Sequence, residues 1–546
     1  MADEFDVIIC GAGSGGGYLA GEVAPYGSVL LLDAGPNVGG APQPGIGDPA
    51  RRRYSTQVNL GQFFPDNPLT TQGDSFFAYK MFMNQAVPIQ ESVQREARLV
   101  GGGSHINCGA WVRPRLVDWT GFADETGVQG WTKDEFEPHF RKAEQIFHVH
   151  RNTRDVWNKA SVLYEQAALK LGIPVFETAS NRHNCIFCGH RMNAGMPCKY
   201  DSLMSTLMTQ IPKALANGAV LVDNATVVRV EISGNRATGV TYLRNGQLTT
   251  VTAKKLVVAA AGAIGTPALL RSSGVFALNR NVGQYLRAHP GVPIDAIMPT
   301  ADWNTDRGYQ WNCHHYLMDD KGQPQDAIIH LSAGFPANTP WAAAAVGTFG
   351  QPYKDLMRKF PNRAGAFIFQ LKPAIYGQVT GEATRPLINY PIAGKDNKLE
   401  PKTMNDLINS IQQVARVYKS LGAYVTYPNG DDPRFVLEQT LTQFVTTAGA
   451  LHPQGTCRAA ANAKRGVVDT NGMSFDVANL MCCDASVIPN HISANPNATI
   501  MAMANRASAF VVTNILGKTL KPQDRAEAYM DLQTVAQQAV GQGAAQ

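Results

Sequence analysis

Charge is scarce in this sequence. Lys, Arg, Asp and Glu make up 17% of its 546 residues, below the usual quarter. The formal net charge is +5 with no basic block, so no nucleic-acid footprint is expected. No apolar run approaches the ~18 residues of a membrane span. No secretory leader is read either, because the first apolar stretch, FDVIIC, starts at Phe5. A cytoplasmic protein is therefore expected, with export on a partner as the other route. The nine cysteines are scattered, Cys482 and Cys483 adjacent, and give no even disulfide framework. Cys185 and Cys188 have metal-like C-x2-C spacing, with Cys198, His183 and His190 nearby. A second C-x2-C pair is missing, so a structural or redox-inert loop without metal is expected there.

Apolar residues, by contrast, reach 44%. That allows large cores, and the length suits about two to four domains. FDVIIC is a near-continuous apolar run, as in a strand buried on both faces. GAGSGGG follows, with Gly11, Gly13 and Gly16 in G-x-G-x-x-G spacing, and then a helix begins at YLAGEVA. SVLLLDAG gives a second strand ending at Asp33. Strand, glycine turn, helix, strand and acid form a dinucleotide-binding unit. The glycines admit a pyrophosphate, the helix start offers amides, and the acid can bond ribose hydroxyls. Asp33 argues against a 2′-phosphate. The motif does not separate NAD from FAD.

Residues 37 to 95 are rich in Pro and Gly and poor in regular pattern, as for a lid or extended surface segment. GGGSHINCGAWVRPR follows. Gly101, Gly102 and Gly103 imply either close backbone approach or a hinge. Residues 116 to 175 look helical, with Thr132 as N-cap and Glu135 three later. From 219 to 260 the pattern turns to strands, and Asn245-Gly246 signals a hairpin. LVVAAAGAIGTPALLRSSGV is again strand, glycine turn and helix, returning the chain to the first sheet. Residues 290 to 440 read as an antiparallel sheet with helices. Near the end, His452 and Asn495 flank the short strand in VANLMCCDASVIP. Each precedes a proline, which favours extended or turn backbone. A neutral imidazole can take a hydroxyl proton, and an amide beside it can hold the oxygen. Alone, the pair reads more readily as a capped core histidine and a turn former.

In their order, these pieces resemble the glucose–methanol–choline family of FAD-dependent oxidoreductases. They are GAGSGGG with Asp33, GGGSHINCGAWVRP, TVVRV, AAGAIGTPALLRSSG, VGQYLRAHP, HPQGTCR, and VANLMCCDASVIP with NPNAT. The resemblance implies an α/β fold: a Rossmann-like FAD-binding domain with a second substrate domain built on an antiparallel sheet with helices. The expected organisation is discontinuous. Residues 1-36, 96-115, 219-290 and 441-520 form the FAD-binding domain. Residues 116-218 and 291-440 form the substrate-binding domain, and 37-95 the lid or surface segment. The matched motifs put Gly11, Gly13 and Gly16 at the pyrophosphate, Asp33 at the adenosine ribose and the Val227 backbone at the adenine. Gly102, Gly103, Ser104 and Asn107 would lie near the flavin, Asp484 near the pyrophosphate and ribityl chain, and Asn497 beside them. His452 and Asn495 match the catalytic pair.

Ile106 stands where some members carry a histidine bonded covalently to the flavin, and His105 is one position off. Noncovalent FAD is therefore expected. Arg287 replaces the usual acid, and Phe276 a glycine. The implied reaction takes an alcohol, whether sugar, aryl or aliphatic, to its carbonyl by hydride transfer to flavin N5. His452 serves as base. Oxygen is one acceptor; a quinone or an electron-transfer partner such as a cytochrome is the alternative. An FAD-containing lyase of the same fold is the alternative of another class. Trp311, His314, His315 and Tyr376 lie where substrate should be faced, though ordinary sheet packing explains them too.

Overall fold

The computed structural model describes residues 4–37, 76–86, 91–186, 202–300, 311–332, 350–359, 362–448 and 450–529. FDVIIC becomes the strand Glu4–Cys10, and every residue from Val7 to Cys10 is buried. It lies between Val29–Leu32 and Gln247–Ala259, parallel to both, with Val220–Val222 beyond Val29–Leu32. A strand with neighbours on both edges and helices over it has no polar face, which explains the unbroken apolar run. The helices Ser14–Val23, Gln210–Ala216 and Asn497–Phe510 pack together here. Leu480–Cys482, from the apolar stretch between His452 and Asn495, extends the same sheet in parallel with Gln247–Ala259.

Gln247–Ala259 also turns back on Arg236–Arg244 through Asn245-Gly246, at φ +50° and +78°. Two successive positive φ values are what a two-residue hairpin turn of matching twist requires. Thr226–Ser233 completes that antiparallel edge.

A second sheet runs Tyr424–Tyr427, Arg287–Ile297, Arg363–Gln370, Pro324–Ser332, Cys313–Met318 and Phe176–Glu177, antiparallel throughout. The helix Pro401–Ser420 covers one face. Between Leu116 and Lys170 lie the helices Leu116–Thr126, Lys133–Ile146 and Lys159–Lys170. Thr132 caps the second one, accepting the Glu135 N–H at 3.3 Å while its hydroxyl donates to the Glu135 carboxylate at 2.8 Å.

Residues 37–95, expected to be poor in regular pattern, contain the strand Phe76–Asn84 and most of Glu91–Ala97. These form a hairpin that joins Arg385–Ala393 and Gln378–Glu382 in a four-stranded sheet. The partner strand comes some 300 residues later in sequence. Pairing at that range leaves no local signature. In the cysteine segment, His183 and Cys185 are described, whereas Cys188, Cys198 and His190 lie outside the described residues. Among the described residues no group of three or more His, Cys, Asp or Glu could hold a metal ion. Because the sequence lacks the second C-x2-C pair of a closed metal site, purified protein should carry no metal needed for turnover. A stoichiometric metal lost with activity on Cys185→Ser would refute this.

Candidate active site

The strand Ala450–Gln454 pairs antiparallel with the start of Arg287–Ile297, His289 opposite Leu451. This register sets His452 beside His289, their Nδ1 atoms 3.0 Å apart. His452 does not take the extended conformation that Pro453 favours. Its φ is +62°, a left-handed value costing a non-glycine residue ~1–2 kcal/mol. Asn495 arrives from the loop before Asn497–Phe510, its Nδ2 3.5 Å from His452 Nε2. Its Oδ1 lies 3.0 Å from Nε2 of His330, on Pro324–Ser332. The four side chains make one chain of contacts: His289, His452, Asn495, His330. Phe369 packs on His452 with ring centroids 5.0 Å apart.

These imidazoles are neutral at ordinary pH. Burial pushes His289 down to about 3 and His330 to about 4. His452 is held well below its usual value by burial, then by the neighbouring His289 and His330. A neutral ring keeps a lone pair with which to accept a proton.

Of the residues expected to face substrate, Trp311 lies against the chain, its ring 5.4 Å from His330. His314 is 5.7 Å from His330 and bonded to Thr178 at 2.8 Å. His315, next along the strand, points to the opposite face and meets the Tyr164 hydroxyl at 2.9 Å. Tyr376 is 39% exposed and stacks on the Arg287 guanidinium at 3.8 Å, away from the pair. That guanidinium also donates to the Pro373 carbonyl at 2.8 Å and lies 3.8 Å from Glu125. A carboxylate from another segment thus accompanies the arginine that replaces the usual acid. His289, His330 and Gln454 went unseen in the sequence. His289 precedes Pro290 as His452 precedes Pro453, and that repeated dipeptide was the one signal available.

The glycine turn has a different logic at each position. A Cβ on Gly11, at φ +113°, would strike the Ala260 carbonyl oxygen at 2.2 Å. A Cβ on Gly16 would meet the Gly11 oxygen at 2.0 Å. Among the described residues, Gly13 has only Gly102 near it, at 3.9 Å, and Gly103 has nothing within 4 Å. Two glycines close the turn, and two others leave bare backbone facing open space, which fits a pyrophosphate and a flat ring system. Asp33 is buried, accepting the Ala12 and Gly35 N–H groups at 2.8 Å each. Burial pushes its carboxyl up to about 6 against those bonds. Asp484 accepts from the Gly262 N–H at 2.8 Å, the Thr266 hydroxyl at 2.5 Å and the Ser486 N–H at 2.8 Å. It braces the second glycine turn. Asn497 accepts from the Ser14 hydroxyl at 2.8 Å, tying Asn497–Phe510 to the first helix. Asn107 Oδ1 accepts the Gly109 N–H at 2.9 Å. Ser104 turns inward, its hydroxyl donating to the Gly101 carbonyl at 2.6 Å. Val227 sits on the edge strand opposite Tyr242. His105 Nδ1 lies 2.9 Å from the Ser205 hydroxyl.

Known proteins resemble this chain in sequence and in fold. The GMC oxidoreductase family models match residues 13–291 and 377–504. A long-chain-alcohol oxidase of Arabidopsis thaliana is 24% identical over 91% of this chain and 66% of its own. An oxygen-dependent choline dehydrogenase of Paraburkholderia xenovorans is 28% identical over 92% and 94%. A formate oxidase of Aspergillus oryzae superposes with a TM-score of 0.68 at 18% identity, over 94% of this chain and 98% of its own. Pyridoxine 4-oxidase from Mesorbium loti gives 0.66 at 20%, over 92% and 98%. The chain belongs to the GMC oxidoreductase family, flavin-dependent oxidoreductases acting on CH–OH groups. No helix among the described residues is long and apolar enough to cross a membrane.

Proposed function

We propose that this protein oxidises an uncharged alcohol to its carbonyl, with His452 as general base and Asn495 as the donor to the alcohol oxygen. The observation that carries this reading is the His452–Asn495 pair, 3.5 Å apart, with a neutral imidazole. When bound, FAD supplies a hydride acceptor at N5. Everything else falls to side chains. His452 Nε2 takes the hydroxyl proton as the carbinol carbon gives up its hydride. One proton and one hydride leave the alcohol, and a carbonyl remains. The Asn495 amide N–H bonds the oxygen while negative charge builds on it, and a preorganised donor needs no reorientation at that moment. His289, His330, Gln454 and Phe369 touch the pair and are uncharged. This favours a neutral alcohol, as in the name of the long-chain-alcohol oxidase, over a cation such as choline.

We take oxygen as the electron acceptor. Aerobic turnover should then release peroxide in proportion to alcohol consumed. Turnover that needs an added quinone or cytochrome would make the protein a dehydrogenase. Carbon–carbon cleavage with no change in flavin absorbance would make it a lyase.

The cofactor is held without a covalent bond. Ile106 offers no nucleophilic atom, and the His105 ring is engaged with Ser205. Acid or heat should release all flavin as unmodified FAD. Flavin left on the precipitated protein, or a modified FAD of the kind studied in the formate oxidase, would overturn this.

A further inference from the structure

His289 and Asn495 engage His452 on its two sides. His289 Nδ1 faces His452 Nδ1 at 3.0 Å. A neutral imidazole has one N–H, so one of these two nitrogens donates and the other accepts. Asn495 decides which. Its amide nitrogen can only donate, and it lies 3.5 Å from His452 Nε2, while its Oδ1 is turned to His330. His452 Nε2 is therefore the acceptor, its hydrogen sits on Nδ1, and His289 meets it with a lone pair at Nδ1. The Gln454 amide nitrogen lies 3.5 Å from His289 Nε2 and 3.2 Å from the His452 carbonyl.

Resting on the base assignment above, we propose that His289 is a positioning residue that holds His452 as its Nδ1–H tautomer. His452 Nδ1 donates to His289, and Nε2 keeps the lone pair on the side of Asn495. The opposite tautomer would put a hydrogen on Nε2 and leave nothing there to accept the alcohol proton. The polarity continues through the chain. Asn495 turns its NH2 to His452 Nε2, so its Oδ1 accepts from His330 Nε2–H at 3.0 Å. His330 closes that end: its Nδ1 is buried with no hydrogen-bond partner among the described residues, as expected for the nitrogen that bears no hydrogen. After proton transfer, His452 carries both N–H groups, and its Nδ1–H stays bonded to His289. The same contact thus serves both charge states of the base. A wrong tautomer is a recognised cause of large rate losses where an imidazole acts as base.

The test compares FAD-loaded His289→Leu, which loses the acceptor, with His289→Gln, which keeps a carbonyl oxygen able to take its place. In anaerobic rapid mixing with a primary alcohol, His289→Leu should reduce its flavin ~10–10²-fold more slowly, the range for removing a group that orients a functional imidazole. His289→Gln should recover most of that loss, and substrate affinity should change little. Added to His452→Ala, His289→Leu should cost nothing more. Nitrogen-15 histidine spectra give a readout independent of activity. The His452 signals, identified by their disappearance in His452→Ala, should show a protonated Nδ1 and a bare Nε2, and His289→Leu should show a mixture. The proposal is overturned by a wild-type rate in His289→Leu, by equal losses in the Leu and Gln variants, or by a protonated Nε2 in the wild type. A wild-type rate in His452→Ala beside an unchanged tautomer spectrum would instead sink the base assignment and leave the tautomer intact.

Discussion

His452→Ala should bind FAD normally and reduce it ~10²–10⁴-fold more slowly, the cost of losing a general base. FAD binding should survive because its cradle is built elsewhere. Gly11, Gly13, Gly16 and Asp33 lie on the first strand–helix–strand unit, and Asp484, beside Gly15, braces the second glycine turn. Substrate affinity should change much less than rate, as for an interaction made mainly in the transition state. Asn495→Ala should slow the same step, and the two losses should not add, because both groups act on one oxygen. If His452 were merely structural, its truncation would release FAD or unfold the chain. It is the hinge of the His289–His452–Asn495–His330 chain and holds a left-handed φ of +62°, so refolding must be checked by flavin content. A fully loaded variant reducing at the wild-type rate would remove His452 from the mechanism.

A second large effect is expected in acid. Eight histidines among the described residues are driven below their ordinary value, in each case first by burial: His139, His148, His289, His314, His315, His330, His452 and His491. His289 is pushed to about 3, and His315 and His330 to about 4. A folded pKa below the unfolded one means that the unfolded chain takes up protons first. The contribution is intact above the unfolded value near 6.5 and is lost as pH falls toward the folded values. The slope is about 1.4 kcal/mol per pH unit per group, so each of His289, His315 and His330 costs ~2 kcal/mol by about pH 5. Asp33, raised to about 6, Glu96, raised to about 7, and Asp295 and Asp484, also raised, oppose this by taking up protons in the folded state. Four groups do not offset eight. Against a typical 5–15 kcal/mol, urea midpoints should fall steeply between about pH 6.5 and 5. His315, bonded to Tyr164 on the face away from the pair, offers the control: His315→Gln should flatten the slope by one group. Stability unchanged down to about pH 5 would show that the buried rings are protonated without cost.

What the sequence made legible was local. FDVIIC, GAGSGGG and Asp33 stand within 30 residues of one another, so strand, turn, helix and acid could be read as one unit. Asn245-Gly246 and Thr132 with Glu135 encode their own turn and cap. His452 and Asn495 were found because the motifs around them follow a known order. His289 and His330 were not, because a sheet register brings them in: His289 falls opposite Leu451 on a strand paired across some 160 residues, and His330 comes from another strand. Alternation along Cys313–Met318 also sends His314 and His315 to opposite faces, so two adjacent histidines could not both face substrate. The strand Phe76–Asn84 was missed for the same reason, since its parallel partner is Arg385–Ala393.

The account stands most directly on one measurement: flavin absorbance after anaerobic mixing of the FAD-loaded protein with a panel of uncharged primary alcohols, each also deuterated at the carbinol carbon. At least one alcohol should bleach the oxidised flavin and yield the matching aldehyde in equal amount, and deuterium should slow the bleaching. Flavin that stays oxidised while alcohol is consumed, or bleaching indifferent to deuterium in enzyme saturated with its substrate, would contradict rate-setting hydride removal at this site.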